Sequence, residues 1–187
     1  MAPRNLLKDI KRPKGIIFEH DELNPFYGRF TAAPFERGYG VTIANSLRRT
    51  LLASTQGYAI TAFRVEYITP DGKQELLTNE FEAIFGVYED TLDIIQNLKK
   101  VRLKLKNELE NKIIVLERKG EGVLTAKDLQ IDPDVEILTP DQHILSLNED
   151  GDLFIELQIQ FGRGYVPAEV NAQFVDTIGT IAIDALF

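Results

Sequence analysis

Few side chains in this chain have the type and spacing that chemistry requires. Of its 187 residues only two are histidines, His20 and His143, and they lie far apart in segments of different texture. A histidine-based metal site or nucleophile–base pair therefore has little to build on. There is no cysteine, which excludes thiolate metal sites and disulfides. Aspartate and glutamate total 29, yet no spacing brings two carboxylates together for acid–base work. The run NEDGD at 148–152 resembles part of a calcium loop but lacks the full spacing and the closing glutamate, so it reads as a hairpin turn. Gly120-Glu-Gly and Gly162-Arg-Gly have neither the Lys-Ser/Thr ending nor the strand-to-helix setting of a phosphate loop, and read as turns. No catalytic residue, cofactor site or metal site is expected.

What remains is recognition chemistry, and it is concentrated in FERGYGVTIANSLRRTLLASTQG at 35–57. Gly38 and Gly40 break the preceding extended run, and Gly57 offers a stop, so a helix is expected over 41–54. At helical spacing Ile43, Ala44, Leu47 and Leu51 form a core-facing stripe. Thr42, Asn45 and Arg49 fall near the opposite side, edged by Val41 and Leu52, with Arg48 on the flank of the stripe. Two readings of this helix stay open: an amphipathic helix with solvated arginines, or an interface helix whose Arg49 docks a partner through its planar fork. Arg163, in the glycine loop, is likewise open between a partner contact and a solvated side chain.

The elements that must position these residues suit a mixed α/β protein. Hydrophobic residues make up 44% and charged residues 27%, a globular balance long enough for one large domain or two small ones. The net charge of −8 argues against a general nucleic-acid coat. No apolar run approaches a membrane span, and the basic N-terminus lacks the apolar core of a secretory signal, so a cytoplasmic protein is expected. Residues 1–14 read as a flexible basic arm. Strands are expected at 15–19 and 27–35, paired with each other, and at 58–67. A second helix is expected over 79–100, opened by Asn79 and Glu82 as a capping box and closed by Lys99 and Lys100. Residues 101–106 alternate apolar and basic and are expected to pair with 113–117. Residues 145–147 and 153–161 read as a hairpin, with Leu153, Ile155, Leu157, Ile159 and Phe161 facing one way. Residues 178–187 read as an apolar strand whose uncapped Leu-Phe end suggests truncation.

The run FERGYGVTIANSLRRTLLAS resembles the signature of the bacterial RNA polymerase alpha subunit, N-terminal region. So do GVYEDTLDIIQNLKK, GEGVLTAKDL, DPDVEIL, GRGYVPAE and IGTIAIDALF, in the family's order and spacing. The resemblance implies an α+β fold of two domains, the first discontinuous. Residues 15–57 plus 177–187 would form a dimerisation and assembly domain, incomplete on its C-terminal side, and 58–176 a β-rich insert domain. It implies a subunit that is non-catalytic on its own, dimerises, and carries the beta and beta-prime subunits, with no cofactor, no membrane and no direct DNA contact from this region. Arg49 matches the family's assembly-critical arginine. Arg48, Asn45 and Leu52 share its helix, while Arg163 and Asp184 lie near the family's large-subunit contacts. Ala44 stands where the motif is expected to have glycine. The family continues beyond this end with a second dimer helix, a linker and a DNA-binding domain, so poor dimerisation is expected of this length. A stand-alone interaction module of the same fold, or an enzyme with a cryptic carboxylate site, is the alternative.

Overall fold

Alternation of apolar and polar side chains decides where an extended chain can lie on a core. The computed structural model describes residues 10–107, 109–175 and 177–187; residues 1–9 of the expected arm lie outside them. The fold class is α+β, rich in strands and with few helices. Contacts divide the chain into two units, residues 1–51 and 52–187.

In the first unit β1 (Ile16–Asp21) pairs antiparallel with β2 (Asn24–Ala32), as expected. Phe18 lies opposite Phe30, their rings stacked with centroids 4.6 Å apart. Helix α1 (Tyr39–Ser54) follows, starting two residues before the expected 41, and its residues 52–54 belong with the second unit. The expected core-facing stripe on α1 needs correction. No residue of the helix is buried, and Leu47 and Leu51 are 57% and 69% exposed. A single two-stranded hairpin has too little area to cover a helix and form a closed core.

The second unit is built on a five-stranded antiparallel sheet. Its elements are β3 (Gln56–Ile68), β4 (Gln74–Leu76), α2 (Thr91–Lys100), β5 (Leu103–Leu105), β6 (Asn111–Lys119), β7 (Gly122–Thr125), β8 (Val135–Ile137), β9 (His143–Leu147), β10 (Asp152–Arg163), β11 (Tyr165–Val166), α3 (Ala168–Asn171), β12 (Ile181–Ala182) and β13 (Ala185–Leu186). The strand order is β12-β3-β10-β6, with β4 also on β3. On β10, Leu153, Ile155, Leu157 and Ile159 are buried, which bears out the expected alternation, but Phe161 is 46% exposed and leans on Tyr58. It lies one residue past the end of the pairing with β6, which stops at Gln160. Helix α2 closes the core with Ile94, Ile95 and Leu98. Residues 177–187 pack in this unit: β12 pairs with β3, and the buried Asn171 amide donates to the Ile183 carbonyl at 2.7 Å.

Four further expectations need correction. The helix expected over 79–100 covers only Thr91–Lys100. Gly86 has φ +82°, outside the helical region, and its carbonyl accepts the Asn148 N–H at 2.9 Å. Tyr88 N–H in turn donates to the Ser146 carbonyl, so this segment runs along β9. Asn79 Oδ1 accepts Phe81 N–H, and the Glu82 carboxylate accepts from Thr78, so the would-be cap pair closes turns instead. Lys99 and Lys100 do occupy the last turn of α2.

Residues 101–106 do not pair with 113–117. Leu103 and Leu105 on β5 face Ile137 and Val135 of β8, while β6 pairs with β10. Asn107, at φ +60°, sends the chain out of β5 on a path that leaves β6 free for the large sheet. The segments 145–147 and 153–161 are not a hairpin either: β9 pairs with β7, and β10 lies between β3 and β6. The turn between them is tight, with Gly151 N–H donating to the Asn148 carbonyl, but the chain changes sheets through it. Finally, the strand expected over 178–187 is two short ones, β12 and β13.

Candidate partner interface

Helix α1 has three kinds of surface. Thr42, Ser46 and Thr50 recur every four residues, and each hydroxyl donates to the carbonyl one turn back, on Gly38, Thr42 and Ser46 respectively. That ladder is satisfied within the helix and its preceding turn, and offers few free donors.

A second stripe follows the spacing 45, 48/49, 52, so Asn45, Arg48, Arg49 and Leu52 stack along one side of the helix. All four are exposed, Leu52 at 53%. Among the described residues, neither guanidinium and not the Asn45 amide has a hydrogen-bond or ion-pair partner. Two adjacent fixed cations beside an exposed leucine can recognise a carboxylate-bearing surface with an apolar margin.

The third surface is apolar. Within the first unit, Ile43 and Leu47 of α1, Ile16 and Phe30 of the hairpin, and Phe35 and Tyr39 line an open groove of about 850 Å3. Ile17 on β1 is 63% exposed and Leu51 on α1 is 69% exposed. Sequence reasoning assigned the helix stripe to the core and so missed the groove.

The two remaining candidates have partners inside the second unit. Asp184 forms an ion pair with Lys99 of α2. Arg163 reaches the last turn of α1: its Nε donates to the Ala53 carbonyl at 3.2 Å and its Nη2 to Ser54 Oγ at 2.9 Å. Neither histidine joins a catalytic constellation. His20 stacks on Phe18, and His143 faces Glu89. Among the described residues no group of three or more His, Asp or Glu is arranged to hold a metal, and no helix is long and apolar enough to cross a membrane.

The first unit thus presents an exposed helix beside an open apolar groove. Residues 65–187 match the family described as the RNA polymerase Rpb3/RpoA insert domain, and the chain belongs to that family. It is 50% identical over its whole length to the DNA-directed RNA polymerase subunit alpha of Leptospira biflexa, covering 55% of that protein. It is 42% identical, again over its whole length, to the subunit alpha of Treponema pallidum, covering 53% of it. The corresponding protein of Carboxydothermus hydrogenoformans is 44% identical over 96% of this chain, which covers 53% of that relative. The chain thus spans about half the length of the relatives it matches.

Proposed function

We propose that this chain is a non-catalytic assembly part of bacterial DNA-directed RNA polymerase in the cytoplasm, dimerising and seating the beta and beta-prime subunits. In the complete subunit, residues 15–57 plus 177–187 form the assembly domain and 58–176 the insert. The observation that carries the reading is the stripe Asn45, Arg48, Arg49 and Leu52, exposed and unpartnered among the described residues, on a helix whose other side opens onto an apolar groove. Arg49 is the anchor for the beta subunit, with Arg48, Asn45 and Leu52 beside it. Asp184 and Arg163 contribute through the elements they tie together. The face is built for protein contact, and the region makes no direct contact with DNA.

The test separates folding from assembly. Arg49→Ala removes no packing, so the folding cost stays within about 0.5 kcal/mol, as for other surface changes. Loss of an anchor arginine at an interface costs about 2 kcal/mol or more of binding. Thermal melts and co-purification with the beta subunit, run on both proteins, are expected to show an unchanged melt and a lost partner. A large fall in melting temperature with the partner retained reverses the assignment.

A further inference from the structure

A helix end leaves its last carbonyls without intrahelical donors, and α1 has no basic residue in its own last turn to answer them. The answer comes from β10 and the turn that follows it. Arg163 Nε donates to the Ala53 carbonyl and Nη2 to Ser54 Oγ, while Gly164 N–H donates to the Thr55 carbonyl at 2.9 Å. Gly164 lets the loop come this close: at φ +64° it occupies the left-handed region, and a Cβ there would lie 2.9 Å from the Ala53 carbonyl oxygen. One loop thus supplies a cation, two side-chain donors and one backbone donor to the same helix terminus.

We propose that Arg163 is a positioning residue of the interface, which holds the last turn of α1, and Leu52 on it, in the form the partner binds, and does not itself touch the partner. The inference rests on the reading of α1 as the beta-subunit face. Two of the guanidinium's nitrogens, Nε and Nη2, are engaged inside the chain, so a direct role through that edge would require it to give up these bonds. The bonds lie at the surface, where their loss frays a helix end without opening the core.

The test measures affinity of this chain for the beta subunit with Arg163→Ala, Ser54→Ala, both together, and Arg163→Lys, with Arg49→Ala as the control for the face. Arg163→Ala is expected to weaken binding by about threefold to tenfold, the scale of a lost helix-end interaction. The loss is expected to shrink in the Ser54→Ala background, because the two residues act through one contact. Arg163→Lys restores part of it, since a cation remains at the helix end. Hydrogen exchange at the amides of 53–55 is expected to quicken in Arg163→Ala while the melting temperature stays put. An equal loss in both backgrounds makes Arg163 a direct contact and overturns the proposal. Unchanged affinity in Arg163→Ala, with Arg49→Ala defective, overturns it while sparing the reading of the face. If no variant changes affinity, Arg49→Ala included, the reading of α1 falls and the inference falls with it.

Discussion

Glu89 and His143 are locked together at the edge of the β7–β9 sheet: Oε1 of Glu89 lies 2.7 Å from His143 Nε2, and its Oε2 accepts the Ser146 N–H at 2.7 Å. One carboxylate thereby ties the irregular segment before α2 to β9. Burial pushes the Glu89 carboxyl up, but the bonds from Ser146 and His143 outweigh it and hold the group below its ordinary 4.5.

A carboxyl lower in the folded than in the unfolded state stabilises above its ordinary value and loses that contribution as pH falls through the folded one. Glu89→Gln is therefore expected to cost about 1 kcal/mol near neutral pH, the scale of a hydrogen bond to a charged group at a partly exposed site. Below about pH 4.5 the gap between the two proteins is expected to close. Urea melts across that range check it; a gap that widens with acid contradicts the assignment.

Leu51 and Leu157 are the same residue type in opposite settings, one 69% exposed on α1 and one 1% exposed on β10. Leu157→Ala is expected to cost about 2–5 kcal/mol through lost burial and a cavity. Leu51→Ala is expected to cost under about 0.5 kcal/mol. Denaturant titrations of dilute protein compare them directly. Similar costs show that the α1 stripe is covered in solution.

Gly86 lies at φ +82°, and a Cβ there would fall 2.6 Å from Gly151 Cα. Gly86→Ala meets both a disfavoured backbone region and another backbone. It is expected to cost at least about 1–3 kcal/mol, read as a lower denaturation midpoint with an unchanged slope.

Lys112 sits on the outer strand β6 and bridges Asp132 and Asp134, its Nζ 2.7 Å from an oxygen of each. The Asp132 carboxylate first, then Asp134, push the ammonium pKa up, and Lys112 in turn holds the Asp132 carboxyl down. A lysine on an outer strand also discourages pairing with a second chain. Lys112→Met is expected to quicken amide exchange at Asp134 and Val135 and to increase self-association, read by hydrogen exchange and sedimentation. No change in either removes the lysine's double role.

Local periodicity made α1, the β1–β2 pair and the buried side of β10 legible, because each is decided by its own residues. Pairing was not. The alternating strand at 101–106 has the pattern to face either 113–117 or 135–137, and only packing of the whole core selects β8. Ile84 and Tyr88 carry helical spacing, yet the backbone of Gly86 and its neighbour Gly151 overrule it. On the candidate interface, the angular position of Arg49 was readable from spacing. The partner of Arg163 was not, since Ala53 lies 110 residues away in sequence and the glycines around Arg163 announce only a turn.

The bareness of the first unit has a consequence for the chain on its own. Side chains such as Ile17, Phe30 and Leu51 stand in water, which is also how a damaged protein presents itself to chaperones and proteases. If a partner covers these side chains, survival of the chain is expected to depend on how soon that cover arrives, and a melting temperature taken on the chain alone to change with its concentration.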